Sequence, residues 1–553
     1  MKVVLCAINS KFIHSTLAVW YLLSSAKKCI DVECVVVEGT INETEDDIYG
    51  RIKSEKADMV AFSTYIWNKH IILSLASKLK ANLGVEILLG GPEVSYDQRK
   101  TLEDYPFVDY VISGEGEEPF YKLLSGYPVE KIEGISFKKF GEVSIKEAYI
   151  SENDPPNPYT NEYFESLNGR ISYIETSRGC PFRCAFCLSG RCGGVRFFNL
   201  EQAKKNIIAL ANSGTKTVKF IDRTFNADRK RAKELFQFII DGYGTIIPKN
   251  VCFHFEIEGE LLDDETFELL SKAPKGLIQF EIGLQSFNET TLQAIERKTN
   301  LSLLSKNIQR VVNLDNIHTH IDLIVGLPYE DMKSFKRSFN LSYALKPHML
   351  QIGFLKLLHG SSLREKSDVL KNEFIDTPPY EIVSTQWLST ADIDRLHSFE
   401  DVFEKMYNSS RFGLTCEYLE SVYENPFDMF MEFSDYVKCQ HMLNNLDSFT
   451  KMIFDYFSSC KQVDEKKLRD ALAIDRLATN RMGYLPSFLR IHSPHIKKTL
   501  NRLEKSKETK RQKNVKRAAT ILLTENKLAY VDYDNCDYVT NRFLVKFTEI
   551  VTE

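Results

Sequence analysis

The 553 residues predict a three-part α/β chain: a doubly wound N-terminal domain, a partial (β/α)6 barrel and a mostly helical C-terminal domain. Three observations predict it. Short apolar runs alternate with helical patterns over residues 2–126, and a six-fold alternation of the same kind follows from residue 170. Beyond residue 376 that pattern gives way to apolar residues at three- and four-residue spacing. At roughly 100–200 residues per domain, the length fits this division.

Composition narrows the classes. With 43% hydrophobic and 27% charged residues and no low-complexity tract, each part can bury its own core. The 71 basic and 76 acidic residues give a net charge of −5, which argues against a nucleic-acid-binding surface. The one basic run, "RLEKSKETKRQKNVKR" at 502–517, reads as a solvated helix face or linker. No stretch of about 18 apolar residues occurs, and "MKVVLCAINS" enters a strand pattern rather than a signal core, so a cytoplasmic protein without a membrane span is expected. Twelve cysteines are too sparse for a disulfide scaffold.

The N-terminal runs are "KVVLCAIN", "VECVVVEG", "ADMVAFSTY", "VEILLGG" and "VDYVISGEG". Near-continuous apolar runs suit strands buried on both faces, so five parallel strands in a flavodoxin-like (Rossmann-type) order are expected over residues 1–130. In such sheets ligands sit at the carboxyl ends of the strands. Those ends carry Asn9, then Ser63, Thr64, Tyr65 and Trp67, then Gly90, Gly91 and Glu93, then Gly114, Glu115, Gly116 and Glu117. Glycine pairs beside flat aromatic rings suit a large planar cofactor.

The "GGPE" and "GEGEEPF" loops, ahead of a Cys-rich segment, resemble the cobalamin-binding domain found upstream of many radical SAM enzymes. The resemblance implies cobalamin at the residues just named. The Asp-x-His-x-x-Gly pattern is absent around His14 and His70, which implies a lower cobalamin face without a histidine ligand.

Residues 131–169, with three prolines in "ISENDPPNPYT", are expected to be a linker. The barrel is assigned to residues 170–375, from six runs: "RISYIETSRG", "KTVKFIDRTF", "VCFHFEIEG", "LIQFEIGLQS", "HTHIDLIVGLP" and "MLQIGFLKLL". Their ends carry polar groups, Glu175, Thr176, Asp222, Glu256, Glu258, Glu281, Gln285 and Asp322, where barrel sites lie.

"RGCPFRCAFCLSGRCGG" follows the first of these strands. Zinc using all four thiols is compatible with it, although zinc usually takes two separated pairs. Three close thiolates can instead hold three irons of a cubic iron–sulfur cluster and leave one iron open. The spacing Cys180-x3-Cys184-x2-Cys187, with Phe186 before the last cysteine, resembles the radical SAM signature.

That resemblance implies a [4Fe-4S] cluster on Cys180, Cys184 and Cys187, whose open iron binds S-adenosylmethionine and cleaves it to a 5′-deoxyadenosyl radical. It further implies cofactor contacts at Asp222, Glu256, Gln285, Ser286 and Arg297, with Val325–Pro328 against adenine. Cys192 is left outside the cluster, as a buried structural residue or a cavity residue. Residues 376–553 are expected to be mainly helical with short terminal strands, Trp387 and Phe412 in its core. The family implies a cobalamin-dependent methyltransferase acting on an unactivated carbon of a small-molecule or peptide substrate, served by an electron donor such as flavodoxin or ferredoxin. A radical cyclase or rearrangement enzyme without methyl transfer, or a non-catalytic cobalamin sensor, are the alternatives. No side chain is singled out as catalytic.

Overall fold

The computed structural model describes residues 1–440, 445–480, 485–491, 493–505 and 519–551, with backbone only at Cys192, Glu504 and Lys505. Most of the basic run 502–517 therefore lies outside the described residues. The chain divides into two compact units. The first holds Met1–Ile278, Gln293–Lys298 and Leu355–Val383, and the second Gln279–Leu292, Thr299–Phe354 and Ser384–Glu553. This division cuts within the barrel segment rather than at its ends.

In the first unit, β1 (Lys2–Asn9), β2 (Glu33–Thr40), β3 (Met59–Ser63), β4 (Glu86–Gly90) and β5 (Tyr110–Ile112) are parallel in the order β2-β1-β3-β4-β5. The apolar runs explain this: Val4, Cys6, Val60, Phe62, Ile87 and Leu89 join helix residues Ile72, Leu75 and Leu79 in one core. The strand order reverses between β1 and β3. Register aligns Ala7 with Ser63 and Ser63 with Gly90, so the loops after β1, β3 and β4 leave the same edge.

The segment expected to be a linker carries two strands and a helix. β6 (Ile135–Lys139) and β7 (Glu142–Ser144) extend the sheet antiparallel from β5. The turn between them is Phe140-Gly141, both at positive φ (51° and 86°), the two-residue hairpin that matches strand twist. Asn161–Leu167 is a helix capped by the Thr160 hydroxyl. The proline-bearing stretch between β7 and that helix forms neither helix nor named strand.

The same unit contains β8 (Ser172–Ile174), β11 (Thr217–Phe220) and β12 (Cys252–Ile257), with β11 in the middle of a parallel trio. Between β8 and β11, β9 (Ser177–Gly179) pairs antiparallel with β10 (Val195–Phe197). This pair clasps the loop that carries the cysteines. Gly179 is required there: φ is +94°, and a Cβ would meet the Gly194 carbonyl at 1.9 Å.

The second unit carries β13 (Ile278–Gln285, all but its first residue), β14 (Ile317–Val325) and β15 (Met349–Phe354), in the order β13-β14-β15. All six expected strands are thus present, three in each unit. Beyond them the chain is helical as expected, and Phe339, Phe399, Phe403, Phe427 and Phe430 pack edge to face in one core. Phe412 is fully buried, and Trp387 packs its half-buried ring on Tyr329 at 4.6 Å. Antiparallel strands Ala519–Ile521, Lys527–Cys536 and Phe543–Glu549 follow. Among the described residues no helix is long and apolar enough to cross a membrane.

Candidate active site

Cys180, Cys184 and Cys187 are free thiols on the loop between β9 and β10. The loop is pinned at Ala185, whose N–H donates to the Ile295 carbonyl (2.8 Å) and whose carbonyl accepts from Leu363 N–H (3.0 Å). The sulfurs sit among donors: Thr224 Oγ1 is 3.4 Å from Cys180, Arg297 Nη1 is 3.8 Å from Cys184, and Ser189 N–H donates to Cys187 at 3.4 Å. Burial raises the Cys184 thiol above its ordinary range, and Arg297 opposes that shift. Three unbridged thiols among a cation and hydrogen-bond donors fit an anionic thiolate-ligated cluster. The Cys192 backbone ends a short 3-10 turn, and its side chain lies outside the described residues.

Arg297 faces Glu258 as well. Its Nη2 donates to Glu258 Oε2 at 2.8 Å, and both side chains are buried. Burial pushes the Glu258 carboxyl up against the opposing pull of Arg297, while its second oxygen, Oε1, is buried and accepts no hydrogen bond. Asn226 clamps the Glu258 backbone through its amide, donating to the carbonyl (2.8 Å) and accepting from N–H (2.9 Å). Glu258 was visible in the sequence as a polar strand end, but Glu256 was the one assigned to the cofactor. Glu256 lies 3.9 Å from both Lys219 and Arg223.

Asp222 is buried and accepts from Thr176 N–H (2.9 Å), Thr176 Oγ1 (2.7 Å) and Ser177 Oγ (2.5 Å). Burial raises its carboxyl, and those donors oppose the rise. Its observed work is to fix the strand end that enters the cysteine loop. In the second unit, Gln285 adopts a left-handed backbone (φ 73°), and the Ser286 hydroxyl donates to buried Glu330 at 2.7 Å. Ser338 donates to the same oxygen at 2.8 Å.

The edge of the N-terminal sheet separates into two groups. Asn9 Nδ2, Ser63 Oγ and Thr64 Oγ1 are buried at the ends of β1 and β3 with no hydrogen-bond partner. Buried polar atoms left unsatisfied are costly, so three at one edge point to a ligand that satisfies them. Beside them the Tyr65 and Trp67 rings stack at 4.5 Å, and Trp67 Nε1 donates to the Ile8 carbonyl. Gly90 leaves open space, with only Ile112 Cβ within reach, at 3.9 Å. This donor set and flat surface fit a corrinoid.

The remaining residues expected at that ligand are engaged within the protein. A Cβ on Gly91 (φ +106°) would meet the Thr64 carbonyl at 2.5 Å, and one on Gly114 (φ +81°) the Tyr149 carbonyl at 2.2 Å. Gly116 packs close to Leu22. These glycines allow close backbone or side-chain contacts within the protein. Buried Glu93 accepts from Tyr380 Oη and Lys69 Nζ.

Glu115 and Glu117 form a charged hub. Arg178, on β9 two residues before Cys180, donates to Glu115 and Glu117 at 2.6 Å each and to Glu175 at 3.0 Å. Arg196 on β10 also pairs with Glu115, at 2.7 Å. Burial pushes Glu175 up to about 7 despite Arg178. One guanidinium thus holds the loop after β5 against the frame of the cysteine loop. The partners are about 60 residues apart in sequence, and no local pattern marks them.

Three family models match. Residues 3–124 match the B12 binding domain, 174–341 the radical SAM superfamily, and 371–540 a protein of unknown function (DUF4080). The chain is 27% identical over 305 residues to 2-(S-pantetheinyl)-carbapenam-3-carboxylate methyltransferase of Streptantibioticus cattleyicolor, covering 50% of this chain and 44% of that protein. It is 28% identical over 302 residues to cobalamin-dependent radical SAM methyltransferase TokK of Streptomyces tokunonensis, with the same coverages. The chain thus spans less than half the length of these two curated relatives.

Among solved structures, TsrM from Kitasatospora setae with cobalamin and [4Fe-4S] cluster bound aligns with a TM-score of 0.56 at 15% identity, over 69% of this chain and 82% of that one. OxsB with aqua-cobalamin and S-adenosylmethionine bound aligns at 0.56 and 15%, over 94% and 82%. These likenesses bear on the fold. The domains carry their cofactors with them, a [4Fe-4S] cluster and S-adenosylmethionine for radical SAM and cobalamin for B12 binding. The matches give the chain a B12-binding domain, a radical SAM domain and a DUF4080 domain, in that order.

Proposed function

We propose that the protein is a cobalamin-dependent radical SAM C-methyltransferase with its cluster on Cys180, Cys184 and Cys187. One observation carries the reading: the first unit holds both the three free thiols and a sheet edge with three unsatisfied buried polar atoms, and Arg178 joins the cysteine loop to the Glu115 and Glu117 loop of that same sheet. When bound, the cluster supplies the electron that cleaves S-adenosylmethionine, and the cobalamin supplies the methyl group. The residues of this chain bind and orient. Arg297 places positive charge at the Cys184 sulfur, and Glu258 Oε1 offers a buried acceptor beside it. Asn9, Ser63 and Thr64 offer donors, and Tyr65 with Trp67 a flat wall that excludes water.

The test is anaerobic purification with cobalamin, followed by optical spectra and turnover. A corrinoid band, an iron–sulfur charge-transfer band and adenosylhomocysteine released in step with product support the reading. Product without adenosylhomocysteine would replace methyl transfer by cyclisation or rearrangement. That second reading has its own support, since anaerobic magnesium-protoporphyrin IX monomethyl ester cyclase of Rubrivivax gelatinosus is 22% identical over 60% of this chain and 62% of its own. The substrate is proposed to be a small molecule or peptide, the reductant a flavodoxin or ferredoxin, and the compartment a reducing cytoplasm.

A further inference from the structure

Two segments that leave the corrinoid edge of the N-terminal sheet are joined by a residue from far along the chain. Lys69 begins the helix Lys69–Leu83, just after the loop that carries Ser63, Thr64, Tyr65 and Trp67. Glu93 stands on the short helix Pro92–Ser95 after β4, and its N–H donates to the Thr64 carbonyl at 3.4 Å. The Tyr380 hydroxyl bridges the two side chains, donating to Glu93 Oε1 and accepting from Lys69 Nζ at 3.2 Å. All three residues belong to the first unit, although 287 and 311 residues separate Tyr380 from Glu93 and Lys69.

Tyr380 is itself tightly placed. It is 1% exposed, and its backbone is left-handed (φ 57°), a strained conformation for a bulky residue. Its N–H donates to the Thr377 carbonyl and its carbonyl accepts from Leu357 N–H, at 2.9 Å each. The His359 ring meets it edge-on at 5.0 Å, and the Arg364 guanidinium lies 4.9 Å over the ring. Burial first, and Glu93 second, push the phenol above its ordinary range, so it keeps its proton and serves as a donor. The same stretch of chain touches the segment after β4 again, where Gly360 (φ +82°) admits the Tyr96 ring and a Cβ would stand 2.4 Å from it.

A ring needed only for packing is served equally by phenylalanine; the hydroxyl is what joins the two segments. Those segments carry two of the orphaned buried hydroxyls, on Ser63 and Thr64, and the open space at Gly90. Loops fixed before a ligand arrives lose less freedom when it binds. We propose that Tyr380 is a positioning residue for cobalamin, whose hydroxyl holds the segments after β3 and β4 in their ligand-binding arrangement. Residue 380 lies within the 371–540 match to a protein of unknown function, so that part of the chain contributes to the corrinoid edge. The inference rests on the cobalamin part of the proposed function and is independent of methyl transfer.

Full-length protein with its cluster assembled is titrated with hydroxocobalamin by equilibrium dialysis, and urea unfolding is followed separately without cobalamin. Tyr380→Phe keeps the ring and removes only the hydroxyl. It should weaken hydroxocobalamin binding about 10-fold at unchanged cluster iron content, the worth of a hydrogen bond to a charged group. Glu93→Met should weaken binding as well, and Tyr380→Phe on that background should add less than about 2-fold, because the hydroxyl acts through Glu93. Glu93→Gln replaces the methionine variant if that one fails to fold, and the cost of Tyr380→Phe should shrink on it too. A tyrosine that only packs would shift the urea midpoint and leave the dissociation constant where it was. Unchanged affinity in Tyr380→Phe, or a fully additive loss in the double variant, overturns the inference while native binding upholds the reading beneath it. Native protein that takes up no hydroxocobalamin overturns both.

Discussion

Replacing Arg178 by Met removes the charge and keeps most of the side-chain volume against the Tyr21 ring, which lies 5.1 Å from the guanidinium. Glu115 retains Arg196 at 2.7 Å, so the deficit falls on Glu117 and Glu175, 13% and 14% exposed. Breaking a buried pair by removing one partner costs about 3–5 kcal/mol. The loss should depend on pH. Burial already holds Glu175 at about 7 with Arg178 beside it, and without that cation the folded value rises further. A folded value raised above the unfolded one gives stability that is lost as pH rises through the folded value. The variant then takes its proton at higher pH than the native protein, and its deficit shrinks as pH falls toward about 7. The assay is urea unfolding followed at Trp20 and Trp67 of the first unit, in a Trp387→Phe background that silences the third tryptophan. A loss below about 1 kcal/mol, the range of exposed pairs, would refute the hub, as would a deficit that does not change with pH.

Four further outcomes are expected. Alanine at Cys180, Cys184 or Cys187 should abolish cluster iron and its optical band, while Cys192→Ala should retain both. Ser63→Ala and Thr64→Ala should each weaken cobalamin binding up to about 10-fold, the worth of one hydrogen bond, as read by equilibrium dialysis. Gly91→Ala, with its Cβ 2.5 Å from the Thr64 carbonyl at φ +106°, should cost about 1–3 kcal/mol and lower cobalamin retention together. Glu330, pushed up to about 7 by burial, contributes stability at low pH that fades between its ordinary 4.5 and about 7. Glu330→Gln should therefore flatten the pH dependence of thermal stability across that window.

The parallel strands were legible because burial on both faces leaves an unbroken apolar signature, as in "KVVLCAIN". The cysteine loop was legible because ligand spacing is local. The Phe140-Gly141 hairpin was missed because its strands are short and polar residues dilute the alternation of Ile135 and Phe137. Gly91 and Gly114 were read as making room for a ligand, although backbone packing demands them equally, and composition does not distinguish the two. Glu256 and Glu258 are two apart in the sequence, so a period of two treats them alike; only the position of Arg297 separates them. Arg178 with Glu115 and Glu117 was beyond reach because their meeting depends on tertiary structure.

The Arg178 hub also limits how far the first unit is modular. A piece beginning after residue 130 would lack Glu115 and Glu117, leaving Arg178 with Glu175 alone and Arg196 without its carboxylate. Excising the barrel at the point where two family matches part would therefore strand positive charge beside the cysteine loop. The boundary legible in sequence is thus a poor place to cut, and recombining this barrel with a foreign B12-binding domain would require carrying the acidic loop across with it.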